Sequence, residues 1–521
     1  MRHHRIGLVY LPGALPCFEN FGNLPTDLVC ADGLVEGKPA SETLDMLIIP
    51  GGSLIESGSI NQNVATEIIK MAESDKFVLG ICSGFQVLAK KTDVGRLSTI
   101  PINRQGLGLL DAELKPLICT DRVEATTVNK SFITHEVGKP VTGFHCHTYG
   151  AIILHKNAHP IIITHAKRLN YKKNPQDIIS GAANKKGNVT GVYIHGLLDQ
   201  NPTILNSITE TLDINQPELD EIKKANAKLI KTIQNEVGIS TGIHQQTPIP
   251  QKPAKLVLIT ALGSGSGKTF LVTGISGALK KQGYKVSVIK VGGDIRDLVS
   301  SLYLIKEPIH EYASIKIGES GWSPLEQAIP QASKDYNFLI VEGAMSAFTG
   351  LLNDNYKRPM STAEVAAALD ASTILVVGCD KEGIEGALIN TLNYSTTLQA
   401  LGVKVSGVIL NKLRISYLTE ETKQMIQHAL DTAGVKLLGM VPRLDLEGRG
   451  MIPEIEIRYE DFGTQAIDAA QKNLNIDLLT QIATPPKITK INYDTFTAKF
   501  KNLLTNYNYN ASKGGKPPSD N

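Results

Sequence analysis

Apolar residues recur along this chain in short continuous runs more often than in alternation. In the first half such runs stand at 6–11 (IGLVYL), 44–50 (LDMLIIP), 77–82 (FVLGIC) and 191–196 (GVYIHG), and NVATEIIKMAESD at 63–75 has the period of a helix. In the second half KLVLITA, from Lys255, is followed by a helical stretch at 270–282. Further strand-length runs begin at 285, 338, 372, 405 and 436, each ending in Gly, Asn, Asp or Pro. Runs without alternation suit strands buried on both faces, and their spacing by helical segments predicts an α/β chain of two doubly wound, parallel-sheet domains.

At 521 residues the chain exceeds one hydrophobic core, so two or three domains are expected. The charged helical stretch after Leu212 and the Pro-, Gln- and Thr-rich segment at 238–254 mark the join. The reading is a first domain at 1–212, a helix and linker at 213–254, a second domain at 255–480, and a C-terminal segment at 481–521 that becomes disordered from about Tyr507. No internal repeat is evident.

Composition narrows the class. A net charge of +2 offers no electrostatic case for nucleic acid or an anionic membrane. No apolar run approaches the roughly 18 residues of a membrane span, and the basic, briefly apolar N-terminus is broken at Pro12-Gly13, so it reads as a first strand. Six cysteines without a CxxC pair fit a reducing cytoplasm.

Chemistry concentrates at strand ends. Gly263-Ser264-Gly265-Ser266-Gly267-Lys268-Thr269 follows an apolar strand and opens a helix, which is how backbone N–H groups come to cradle a phosphate. Lys268 would reach the terminal phosphates of ATP and Thr269 would hold Mg²⁺. The strict motif wants glycine where Leu262 stands. Asp294 and Glu342, also at strand ends, are candidate oxygen ligands for the same ion.

In the first half, Gly80-Ile81-Cys82-Ser83-Gly84 joins a strand to a helical segment. A cysteine there sits on a sharp turn, where the helix N-terminus favours thiolate. Gly51-Gly52 ends another strand, so the N–H groups of Gly52 and Ser83 could form an oxyanion hole. His195, ending a further strand, is the natural base for Cys82. His145 and His147 flank Cys146; alternation along a strand lets only the two histidines share a ligand sphere, with no further ligand evident, which argues against a metal there.

GICSGFQVLA, QGLGLLD at 105–111, GVYIHGLLDQNP at 191–202 and the opening segment 5–24 resemble the glutaminase domain of the cobyric acid and cobyrinic acid amidotransferases, a class I glutamine amidotransferase. The resemblance implies that Cys82 attacks the glutamine amide with His195 as base. Many class I glutaminases carry a glutamate where Leu197 stands; this branch lacks it, which implies a Cys–His dyad. The branch's Gly-Tyr-Glu-x-His segment has His145 in place of its glutamate.

KVGGDIRD at 290–297, VEGAM at 341–345, Ser361-Thr362-Ala363-Glu364, VSGVILNK and LLGMVPR resemble the synthetase domain of cobyrinic acid a,c-diamide synthase, a relative of dethiobiotin synthetase whose phosphate loop shares the shifted glycine. By this resemblance Lys290 contacts the phosphoryl group or substrate carboxylate, Asp294 and Glu342 bind Mg²⁺, and Asn411 reads the nucleotide base. The family has an acid where Thr349 stands, and it places the synthetase domain first, whereas here the glutaminase precedes it.

Together the two halves imply ATP- and glutamine-dependent amidation of a tetrapyrrole carboxylate through an acyl phosphate, with oligomeric state left open, a homodimer included. Alternatives are the same chemistry on another acid, such as nickel sirohydrochlorin or a cobyric acid precursor, and a nucleotide-switched scaffold related to partitioning ATPases. The last usually has an early loop lysine where Gly263 stands here.

Overall fold

The computed structural model describes residues 4–14, 19–241, 253–353, 357–414, 418–444 and 459–512. Most of the linker expected at 238–254, and the tail beyond 512, lie outside these residues. The helix Tyr493–Ser512 runs through Tyr507, where disorder was expected to begin. Phe496 and Phe500, one turn apart, are buried on one of its faces.

In the first half, strands Asp27–Val29, Ile6–Val9, Met46–Ile49, Phe77–Ile81 and Val189–Val192 lie side by side in that order, all parallel. Ile6, Leu8, Met46 through Ile49, Val78, Leu79 and Ile81 are fully buried, as continuous apolar runs require. The mostly parallel sheet expected here is extended to nine by four further, antiparallel strands: Lys172–Asn184, Ala158–Leu169, Ala125–Thr127 and Pro140–Val141. The two long ones form a hairpin closed by Asn170 and Tyr171, at φ +49° and +65°. Two successive positive φ values give the turn whose twist matches a hairpin. Tyr171 holds that conformation with its hydroxyl accepting from Arg296 Nη2 and its ring 5.5 Å from the guanidinium.

In the second half seven strands pair in parallel throughout: Ser314–Ile315, Val286–Val291, Phe338–Glu342, Lys255–Ala261, Ser372–Gly378, Val405–Leu413 and Lys436–Pro442. Lys255–Ala261 comes first in sequence yet lies in the middle, with later strands laid down on either side. The order of strand addition therefore reverses there, and in a parallel sheet such a point sets a crevice outside the carboxyl ends of the strands.

The chain divides into two compact units that do not follow the halves of the sequence. The first comprises Met1–Gln245 together with Ile295–His310 and Leu446–Thr464; the second comprises Gln246–Asp294, Glu311–Asp445 and Gln465–Asn521. Arg296 belongs to the first unit, where its Nη1 also donates to Thr148 Oγ1 at 3.2 Å. No helix among the described residues is long and apolar enough to cross a membrane.

Candidate active sites

In the first unit, the strand Phe77–Ile81 ends at Cys82, which sits at φ +51°, ψ −104° and caps the helix Ser83–Leu88. A non-glycine residue held there is strained, and such strain persists where the surroundings over-determine it. The flanking glycines supply the determination. A Cβ on Gly84 would come within 2.1 Å of the Ile49 carbonyl, and one on Gly80 within 2.4 Å of the Gly84 carbonyl. Leu54 N donates to Ser83 Oγ at 2.9 Å, tying the loop after Gly52 to the start of the helix. The structure thus brings the segment holding Gly52 to Ser83.

His195 approaches from the neighbouring strand pair. A Cβ on Gly51 would lie 2.7 Å from His195 Cε1, 3.6 Å from its Nε2 and 3.5 Å from Cys82 Cβ, so glycine is what lets histidine and cysteine flank this point. The sequence reading missed the third member. Glu19 Oε1 lies 3.0 Å from His195 Nδ1, both groups buried, and Glu19 Oε2 accepts from Gly196 N at 2.7 Å. A carboxylate can only accept, so the ring proton sits on Nδ1 and the Nε2 lone pair is left for the base role. Asp199 accepts from the N–H groups of Asn20 and Gly22, which pins the loop carrying Glu19. The expected Cys–His dyad is therefore a Cys–His–Glu arrangement, with Leu197, two residues after the histidine, fully buried.

The expectation of a helix-stabilised thiolate is also corrected. Burial, helped by Cys146 and Glu56, raises the Cys82 thiol well above its usual range despite the N–H of Ser83 directed at it. Cys82 Sγ also lies 3.6 Å from the Cys146 carbonyl oxygen. A cysteine in this state needs a base to become a nucleophile.

In the second unit the glycine loop leaves Lys255–Ala261 and enters the helix Lys268–Lys281 through Gly267. Gly265 and Gly267 hold φ of +78° and +86°, which glycine alone takes at little cost, whereas Gly263 does not use that freedom. Ser266 Oγ donates to the Gly263 carbonyl at 2.8 Å and Lys268 Nζ to the Met345 carbonyl at 3.2 Å. Asn411 is buried with its Nδ2 on the Ser266 carbonyl at 2.8 Å, so its amide braces the loop. Lys412, next to it, donates from Nζ to the Gly265 carbonyl at 2.6 Å.

Thr269, Glu342 and Lys290 converge. Glu342 Oε1 accepts from Thr269 Oγ1 at 2.8 Å and from Lys290 Nζ at 3.1 Å, and the side chains of Lys290 and Glu342 are 3% and 0% exposed. A buried carboxylate of this kind persists because the ammonium neutralises it. Asp294 lies beyond the end of Val286–Val291 and is half-buried. Beside the loop is a cavity of about 650 Å³ lined by Leu262 through Ser266, Phe348, Asp380, Tyr394 and Phe500 among others.

Residues 6–203 match the CobB/CobQ-like glutamine amidotransferase domain, and residues 257–449 match the CobQ/CobB/MinD/ParA nucleotide binding domain. A hydrogenobyrinate a,c-diamide synthase of Mycobacterium tuberculosis (strain ATCC 25618 / H37Rv) is 33% identical over 235 residues, 44% of this chain and 49% of its own length. A cobyrinate a,c-diamide synthase of Streptococcus sanguinis (strain SK36) is 28% identical over 242 residues, 44% of this chain and 50% of its own. The chain spans about half the length of these curated relatives. The solved structure of PurLQS from Thermotoga maritima, at 21% identity and a TM-score of 0.32, covers 40% of this chain and 100% of that one. In this chain the segment that matches the amidotransferase model precedes the segment that matches the nucleotide-binding model.

Proposed function

We propose that this chain amidates carboxylates, using ATP to activate the acid and glutamine to supply nitrogen, and that its acceptor is a tetrapyrrole acid. The observation that carries the reading is the pairing, in one chain, of two different devices. One is a strained, buried cysteine next to a carboxylate-held histidine; the other is a glycine loop whose threonine meets a buried glutamate.

In the first unit, His195 Nε2 takes the Cys82 proton as the sulfur attacks the glutamine side-chain carbonyl. The oxyanion that forms lies near the N–H groups of Gly52 and Ser83. The protonated imidazole, held by Glu19, then delivers its proton to the departing ammonia, and water hydrolyses the thioester to glutamate. In the second unit the γ-phosphoryl group of ATP passes to a carboxylate oxygen of the acid. The resulting acyl phosphate has a good leaving group, and ammonia displaces it to give amide and phosphate.

The hard oxygens of Thr269 and Glu342, 2.8 Å apart, fit Mg²⁺, with Asp294 as a further candidate ligand; the ion would neutralise phosphate charge. Lys268 and Lys290 supply fixed positive charge to the transferring group, and the loop from Gly263 to Thr269 supplies its N–H donors. Asn411 braces that loop and is placed to meet the nucleotide from the same side. The names of the relatives support a corrinoid acceptor, and a chain needing glutamine and ATP suits the cytoplasm, as monomer or homodimer. The test is a screen of cobyrinic acid, sirohydrochlorins and their metal complexes. Amide formation seen by mass spectrometry, matched by ADP, phosphate and glutamate, supports the reading; ATP turnover indifferent to every acid contradicts it in favour of a nucleotide-switched scaffold.

A further inference from the structure

Three ligating side chains that the amidation chemistry leaves unused meet in the first unit. Cys119 and His147 face each other in an antiparallel bridge, exchanging N–H···O bonds of 3.2 and 3.1 Å, so their side chains leave the same face. His145, two residues before His147, shares that face. All three are buried, at 2%, 0% and 3% exposure, and one ligating atom from each lies within 4.8 Å of the others. The sequence pattern pairs the two histidines and gives no hint of Cys119, which comes from a distant segment.

The ring nitrogens are arranged as metal ligands are. His147 Nδ1 lies 3.2 Å from the Leu117 carbonyl, which can only accept, so Nδ1 carries the proton and Nε2 carries the lone pair. That Nε2 is buried with no hydrogen-bond partner. His145 Nε2 lies 3.1 Å from Ser180 Oγ, leaving Nδ1 to face Cys119 Sγ at 3.2 Å. A thiol–imidazole contact accounts for Cys119 and His145 but leaves the buried His147 Nε2, in the same cluster, without a role. Gly150 makes room for that ring, since a Cβ there would come within 2.0 Å of His147 Cε1.

We propose that Cys119 Sγ, His145 Nδ1 and His147 Nε2 bind a divalent cation of the zinc class. One sulfur and two imidazole nitrogens are the donor set that ion prefers, and around a tetrahedral ion with bonds of about 2.0–2.3 Å such ligands stand roughly 3.3–3.8 Å apart. The Sγ–Nδ1 separation is already close to that, and His147 closes the remainder by a small ring movement. On binding, the Cys119 S–H bond breaks as the metal–sulfur bond forms, and the proton leaves to solvent. The ion would also fix the strand beside the nucleophile, because Phe144 pairs with His195, and Cys146, between the two histidine ligands, offers its carbonyl to Cys82 Sγ.

The test is titration of the metal-stripped full-length chain with Co²⁺, followed by near-ultraviolet thiolate-to-metal charge transfer and by equilibrium dialysis, with Zn²⁺ as competitor. The expected result is one equivalent per chain with a charge-transfer band that Zn²⁺ abolishes, that Cys119→Ser removes and that Cys82→Ser leaves intact. His147→Gln should weaken affinity by about tenfold or more. It also serves if Cys119→Ser does not fold, because Nε2 makes no bond in the protein to lose. Absence of stoichiometric binding, a band that survives Cys119→Ser, a band lost in Cys82→Ser, or affinity unchanged in His147→Gln would each overturn the site. None of these outcomes depends on whether the chain amidates anything.

Discussion

A carboxylate behind a histidine fixes the tautomer and steadies the imidazolium, and Glu19 is placed to do both for His195. Glu19→Gln keeps the hydrogen-bonding shape but lets the proton shift to Nε2. Glutamine hydrolysis should fall roughly 10²-fold in kcat with KM little changed; an unchanged kcat would return the site to a bare dyad. The Cys82 thiol invites a second test. Burial penalises its thiolate, so its deprotonation moves to higher pH. In His195→Ala protein, iodoacetamide labelling of Cys82 should climb continuously through pH 9 with no plateau near pH 7, as followed by peptide mass spectrometry. Lys290 and Glu342 form a pair with almost no exposure. Lys290→Ala should cost about 3–5 kcal/mol by leaving a buried charge, and Lys290→Met with Glu342→Gln should recover most of it in denaturant unfolding. A double variant no more stable than the single would show that the pair is not what Lys290 stabilises.

At the scale of elements, the turn at Cys82 was legible because its glycines have steric causes. Gly84→Ala should press a methyl group onto the Ile49 carbonyl, cost about 1–3 kcal/mol, and lower glutaminase activity more than it lowers stability would explain. Thermal melts set beside kcat decide it, and an unperturbed variant would show that the helix can shift. The parallel strands were legible for a similar reason, since burial on both faces writes continuous apolar runs into the sequence. The hairpin Ala158–Leu169 with Lys172–Asn184 was not. Its second strand opens with six exposed residues, Lys172 to Asp177, and its turn residues are Asn170-Tyr171 rather than a glycine pair, with Tyr171 held by Arg296 from far along the chain. Glu19 escaped notice for a related reason. It lies in an N-terminal loop, and only the folded chain brings that loop to the end of a strand 176 residues later.

Across the whole molecule, sequence halves and compact units differ. Ile295–His310 and Leu446–Thr464 come from the second half of the sequence yet belong to the first unit. No composition shift marks those segments, because their apolar residues pack as ordinary core: Leu302, Tyr303 and Tyr459 are buried, and Tyr303 donates to Glu460 at 2.5 Å within the same unit. What the sequence did carry was the chemistry at each strand end, since a phosphate loop and a nucleophile turn need particular residues in fixed order. The meeting of Cys119 with His145 and His147 lay beyond it, as a long-range strand pairing leaves no local pattern. The central claim is a division of labour between a nitrogen-releasing unit and an acid-activating unit. Its most direct test is amide formation by Cys82→Ala protein supplied with ATP, the acceptor acid and either glutamine or ammonium. The account predicts no amide from glutamine and near wild-type amide from ammonium; loss of both in a folded protein would contradict it.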